Sequence, residues 1–452
     1  MQDNVKPSMT EGSLWKNILF FSIPLIFSNL LQVLFNMSDI AVVGRFSGPD
    51  ALGSVGSCTI LITLYTGLMI GMGSGINAIS ATSIGAGDNV NLKKTVNHAF
   101  FISVFYGIAV MLIGICSAET VLTALDTKPE LIDGAKLYLK TYLLGMPALA
   151  LYNYGQGVLS AAGDSKTPLY FLCISGIVNI ALNLLFVIAF DLSVLGVGMA
   201  SVISQYLSAS LVLIKIAFSD RIYSLRFKKT VFSGQLVGKI LILGIPAGMQ
   251  NAIFAFANLF TQKAVNSFNT VMVQGNSAAA NADALVYDVM AAVYIACSTF
   301  IAQNFGAGKK ERVLKSFRIS LIYSFGIAAV IGFFLIVFGR QFLSLFTTES
   351  TVIEAGLIRL RLMSFCYCFS AFMDCTIAAS RGLCKTVIPT IMVIFGSCFL
   401  RVLWIYTVFA YFGTILSLYL LYIFSWTMTA IPELIYFFVV YKKTFKAGKQ
   451  LR

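Results

Sequence analysis

Long apolar runs recur along the whole chain, and this constrains its fold more than any other feature. A bilayer's hydrocarbon core of roughly 30 Å needs about 20 mostly apolar residues per helical span. Runs of that kind lie near 16–39, 51–80, 97–118, 136–160, 168–190, 194–217, 236–262, 277–304, 317–339, 352–380, 387–410 and 414–441, each bounded by a polar or Gly/Pro-rich break. With 58% hydrophobic residues, 11% charged residues and a mean hydropathy of +0.85, the chain needs lipid as a solvent. A β-barrel would show short alternating strands instead of continuous runs. The reading is an all-α membrane protein with twelve transmembrane helices. The first run carries Gln32, Asn36 and Asp39 and ends without a small-residue cleavage site, so it is expected to stay in the mature protein.

A net charge of +13 raises the question of a nucleic-acid partner. With the N-terminus placed in the cytoplasm, 23 of the 32 Lys and Arg fall in inside segments and eight, Arg359 among them, in outside segments, while Arg401 lies within a span. This asymmetry puts both termini in the cytoplasm, and anionic headgroups account for the basic balance without nucleic acid. The nine cysteines sit mostly in apolar runs and form no paired CxxC units, which argues against a metal site or a disulfide framework. The single histidine, His98, reads as an interfacial residue.

The two halves repeat. Ile23-Pro24 is matched by Ile245-Pro246, the turn Gly85-Ala86-Gly87 by Gly306-Ala307-Gly308, and Lys166-Thr167 by Lys385-Thr386, at offsets of 222, 221 and 219. Six spans separate each pair, so the halves are parallel repeats about an axis along the membrane normal. The expected lobes are 1–220 and 221–452, joined by a basic cytoplasmic linker near 215–240. A cleft between such repeats is the expected substrate path.

Three stretches resemble the multidrug and toxic compound extrusion (MATE) transporters. They are Pro24 to Arg45 with its D-x-x-x-V-G-R segment, Ala162-Gly163-Asp164-Ser165-Lys166-Thr167-Pro168, and Ser298 through Gly308. The resemblance covers essentially the whole chain. It implies a V-shaped pair of six-helix lobes and the exchange of amphipathic, often cationic compounds for protons or sodium ions.

A carboxylate at bilayer depth costs about 3 kcal/mol on insertion scales and is a functional hypothesis by default. Asp39, Asp283, Asp288 and Asp374 qualify. Low dielectric favours an acid's neutral form, and water or a cation favours the charged form, so alternating exposure would load and release a proton. Asn29, Gln32, Asn36 and Asp39 form one polar stripe. Asp39 reads either as a coupling acid, the role the resemblance implies, or as an interfacial cap beside Arg45. Asn179 and Asn183 share a face and could bond Asp39, or could simply join helices. Some proton-coupled members of the family carry a second acid where Asn183 stands.

In the second half, Asn251, Asn258 and Gln262 make a stripe with no acid. Asp283, Asp288 and Asp374 could supply one, with a candidate sodium site at Asp288 and Asp374. Arg401 competes, because a buried arginine would bridge to one of these acids. Asn153 and Tyr154 complete the cleft candidates, with Tyr152, Met69, Met72 and Met290 as further aromatic or sulfur contacts.

No nucleophile motif, zinc helix or complete phosphate loop is present, and one histidine speaks against a membrane-embedded enzyme. The expectation is a monomeric cation-coupled antiporter without a cofactor, its coupling ion H+ or Na+, exporting amphipathic cations among membrane lipids. The alternative is a lipid-linked oligosaccharide flippase of related fold, which would want a strongly basic cleft.

Overall fold

The computed structural model describes residues 9–125, 127–226 and 233–446, and these contain helices and no strand. Eleven helices among them are long and apolar enough to cross a membrane, and the twelfth expected span is a pair of shorter helices end to end. They are α1 (Leu14–Phe46), α2 (Pro49–Gly85), α3 (Asn89–Ala124), α4 (Pro129–Leu143 and Met146–Ala161), α5 (Lys166–Ala189), α6 (Ser193–Ala217), α7 (Gly234–Val265), α8 (Thr270–Gly306), α9 (Lys310–Val337), α10 (Ser350–Gly382), α11 (Val387–Phe412) and α12 (Ile415–Lys446). The expected spans overhang these helices by no more than two residues. The helices run longer: the 37 residues of α2 and of α8 each extend about 55 Å, well beyond the hydrocarbon. α4 breaks at Leu144-Gly145, just ahead of Pro147, which has no N–H to continue the ladder.

The described helices pack as two units, divided otherwise than the expected boundary at 220/221. The first unit holds residues 27–252, and the second holds 9–26 together with 253–446. The chain thus passes between units inside α1 and again inside α7, shortly after the interior prolines Pro24 and Pro246.

Glycine explains the placement of the first part of α7. Gly71 and Gly75 on α2 face Gly248 and Gly244 on α7, each pair four residues apart, so both helices present the small-xxx-small surface that lets backbones touch. A Cβ on Gly71 would lie 2.0 Å from the Gly248 nitrogen, and one on Gly75 would lie 2.7 Å from the Gly244 nitrogen. Asn251 extends the seam by donating from Nδ2 to Gly67 O at 3.1 Å. In the second unit, Phe21 and Leu25 of α1 pack on Ala292, Ala296 and Phe300 of α8, with Phe21 and Phe300 edge to face at 5.7 Å.

Repetition reaches the detail of helix winding. Thr95 and Ser103 on α3 recur as Ser316 and Ser324 on α9, all buried, at an offset of 221. A π-helical turn at Leu185–Ala189 in α5 recurs at Ile405–Phe409 in α11. A second π-helical segment, Ile394–Phe399, interrupts α11 alone, since the matching part of α5 is regular α-helix.

The segment joining the halves is fastened to α3. Asn97 donates from Nδ2 to Arg226 O at 2.8 Å and accepts from Arg226 N at 3.3 Å. The Ser233 N–H donates to His98 Nε2 at 3.0 Å, so the imidazole proton sits on Nδ1 and is donated to Lys94 O at 2.7 Å. His98 is therefore a buried fastening point. Removing both Asn97 bonds by Asn97→Ala should cost about 1–2 kcal/mol, read as a lower melting temperature of the purified protein and faster proteolysis between 226 and 233. Unchanged stability and proteolysis would show that this fastening is dispensable.

Candidate substrate and ion sites

In the first unit, three helices converge on one carboxylate. α1 supplies Asp39, α5 supplies Asn179 and Asn183, and α6 supplies Ser201. Asp39 is 5% exposed. Its Oδ1 accepts from Asn183 Nδ2 at 2.5 Å and its Oδ2 accepts from the Ser201 hydroxyl at 2.8 Å. Asn183 Nδ2 also donates to Asn179 Oδ1 at 3.2 Å, and Asn183 Oδ1 is buried without a partner. α1 and α5 approach closely because Gly176 leaves room for the Phe35 ring, whose Cζ would lie 1.7 Å from a Cβ there. Among the described residues no Lys, Arg or His lies within 4 Å of Asp39. A buried carboxyl held only by neutral donors can keep or lose a proton, or take a small cation, without first breaking an ion pair.

The second unit is built differently, around two buried arginines. Arg359 on α10 donates from Nη2 to Asp283 Oδ2 at 2.5 Å and from Nη1 to Asn276 Oδ1 at 2.6 Å, both on α8. Asp283 Oδ1 accepts from the Tyr367 hydroxyl at 2.5 Å, and Tyr419 donates to Asn276 Oδ1 at 3.0 Å. Arg401 on α11 donates from Nε to Ser425 Oγ at 3.1 Å and from Nη1 to Asn258 Oδ1 at 3.2 Å. Tyr419, Tyr422 and Trp426 share a face of α12 and alternate with the arginines. Arg359 lies 5.3 and 5.6 Å from the rings of Tyr419 and Tyr422, and Arg401 lies 5.0 and 5.8 Å from those of Tyr422 and Trp426. Such cation–π contacts offset part of the cost of burying guanidinium.

The sequence model of the family described as MatE matches residues 24–185 and again 246–407, so it covers well over half the chain and falls twice on it at an offset of 222. This chain belongs to the MatE family. The chain is 26% identical over 409 residues to the probable multidrug resistance protein YoeA of Bacillus subtilis, covering 88% of each. It is 23% identical to the probable multidrug resistance protein NorM of Thermotoga maritima, covering 86% of this chain and 84% of that one. It is 21% identical to the multidrug export protein MepA of Staphylococcus aureus, covering 80% of each. A solved structure described as the outward-facing conformation of a multidrug resistance MATE family transporter shares the fold, with a TM-score of 0.90, 19% identity and 99% coverage of both chains. The MatE protein is thus an all-helical, multi-pass membrane protein of MATE fold.

This MatE structure places the other residues singled out from the sequence as follows. On α1, Asn29 and Gln32 are half-buried and Asn36 is exposed, one to three turns before Asp39. On α7, Asn251, Asn258 and Gln262 are exposed, Gln262 donating to Asn266 Oδ1 at 2.9 Å. Asp288 and Asp374 lie partly buried on α8 and α10 of the second unit. Three further placements bear on the expectations from the sequence. Asp283 is paired with Arg359, and Tyr367 donates to its other oxygen. Arg359, assigned to an outside segment, is 4% exposed inside the second unit. Asn153 and Tyr154 are buried in the first unit: Asn153 donates to Leu149 O on its own helix at 2.9 Å, and Tyr154 packs against Phe100. Tyr152, Met69, Met72 and Met290 are buried likewise.

Several residues of these clusters escaped the sequence reading, and so did one buried acid outside them. Ser201 carries no signal, since a serine within an apolar helix is commonplace. Glu433 on α12 is wholly buried with neither carboxylate oxygen bonded, and as an acid inside the last apolar run it was there to be found.

Proposed function

We propose that this MatE protein is a cation-coupled antiporter that exports amphipathic drugs or xenobiotics across a prokaryotic inner membrane by alternating access, with both termini in the cytoplasm and H+ or Na+ as the coupling ion. The observation that carries the reading is Asp39, a buried carboxyl bonded only to neutral partners and therefore able to change its ionic occupancy. Coupling needs only that ion and substrate favour different conformations, because a ligand shifts an equilibrium by its differential affinity. The multidrug names of the bacterial relatives support the substrate class, and their resemblance over four-fifths or more of the chain supports the assignment.

The test is dye efflux from proteoliposomes holding the purified protein, with pH and sodium gradients imposed separately. Uphill dye movement driven by one gradient and stopped by its collapse is the expected result. Equilibration of dye without response to either gradient would make the protein a passive pore.

A further inference from the structure

The two buried arginines of the second unit differ in how their charge is met. Arg359 is closed by Asp283 at 2.5 Å. Arg401 is 2% exposed, yet among the described residues no carboxylate lies within 4 Å of it, and its bonded partners are the neutral oxygens of Ser425 and Asn258. Its charge is met only at longer range, by Asp374 on α10, and the guanidinium fork fits the two oxygens of a carboxylate at contact distance. These two bonds engage Nε and Nη1 and leave Nη2 for a further oxygen.

The helix that carries Arg401 is itself unusual. Arg401 sits in a five-residue α-helical piece, Leu400–Trp404, between two π-helical segments. The later segment repeats the one in α5, but Ile394–Phe399 has no counterpart in the first half. One additional residue in a turn rotates everything after it by about 100° relative to a regular helix. Such turns are energetically poor and concentrate at functional sites. Here the extra winding sets the direction of Arg401, which has no carboxylate within 4 Å among the described residues. Asn258, bonded to that residue, is exposed, so the buried cation lies next to an accessible amide.

We propose that Arg401, with Asn258, binds the carboxylate of an exported substrate, so that the preferred cargo of this protein is a zwitterionic amphipath and not a simple cation. The proposal rests on the efflux reading for its physiological meaning, but its test is a binding measurement that does not depend on transport. The probes are tetramethylrhodamine bearing its free carboxylate and the methyl ester of the same dye, which share ring system and cationic charge and differ only at the carboxyl. Fluorescence anisotropy with the full-length protein in nanodiscs gives a Kd for each.

Wild type should bind the free acid at least tenfold more tightly than the ester. Arg401→Gln should bring the two within twofold of each other by weakening the acid alone, and Arg401→Lys should keep part of the preference. Asn258→Leu changes an exposed position and should weaken the acid severalfold, which keeps the assignment testable if Arg401→Gln fails to fold. Equal affinity for the two dyes in wild type, or a preference that survives Arg401→Gln, would overturn the proposal. Preference for the acid in a protein that moves neither dye would support this site while refuting efflux. Gradient-driven efflux of both dyes at equal affinity would refute this site alone.

Discussion

The Asp39→Asn protein is expected to reach the membrane and fold as the parent does, yet to move dye no faster than vesicles without protein. The side chains have the same size, and the hydrogen-bond set can adapt. The amide oxygen still accepts from Asn183 Nδ2, and the Ser201 hydroxyl, which donates to Asp39 Oδ2 at 2.8 Å, can turn to accept from the new NH2 group. What disappears is the ability to exchange a proton or to contribute an anionic oxygen to a cation. Wild-type efflux rates from Asp39→Asn in proteoliposomes, at equal reconstituted protein, would remove Asp39 from the coupling mechanism. Ser201→Ala separates the carboxyl from its setting, because it leaves the acid in place and deletes only one donor.

Gly71→Ala should be among the most damaging single methyl additions available to this protein. The new Cβ would lie 2.0 Å from the Gly248 nitrogen and 2.2 Å from its Cα. Neither atom can rotate away, so α2 and the first part of α7 must separate. Overpacking of this kind costs about 3 kcal/mol or more when backbone has to move, and the expected result is a sharp loss of monodisperse protein on size-exclusion chromatography after detergent extraction. Gly56→Ala, on the same helix with nothing within 4 Å of its Cβ, is the control and should be tolerated. Normal yield and melting temperature for Gly71→Ala would mean that the glycine seam does not hold the first part of α7 in place.

Much of this architecture was legible from the sequence. A membrane span is a local property, satisfied or not by its own twenty residues, so eleven of the twelve runs correspond to single long helices and the fourth to a broken pair. Duplication was legible because Pro24 and Pro246 stand in the same register as the two GAG turns. The bond between Asp39 and Asn183 could be anticipated because polar atoms in an apolar interior must find one another. Tertiary relations between polar residues and backbones were harder to read. Gly71, Gly75, Gly244 and Gly248 spell small-xxx-small twice, but nothing local says that these two surfaces meet. Arg359 was counted with an outside segment, yet it lies inside α10 and is buried against its neighbours, a tertiary relation no local pattern carries. That Asp283 would pair with Arg359 and not with Arg401 is a tertiary relation, which leaves no mark in composition or periodicity.

The passage of the chain between units inside α1 and α7 also orders its biogenesis. When the ribosome has released the first six spans, the surface of α2 that will receive Gly244 and Gly248 is still bare, and the opening residues of α1 have no α8 to rest on. Neither unit can be completed from one half of the gene product. Insertion of the early spans must therefore leave an unfinished intermediate in the lipid until the middle of the polypeptide emerges, and a nascent chain stalled there would expose that bare helix face to whatever quality-control machinery patrols the membrane.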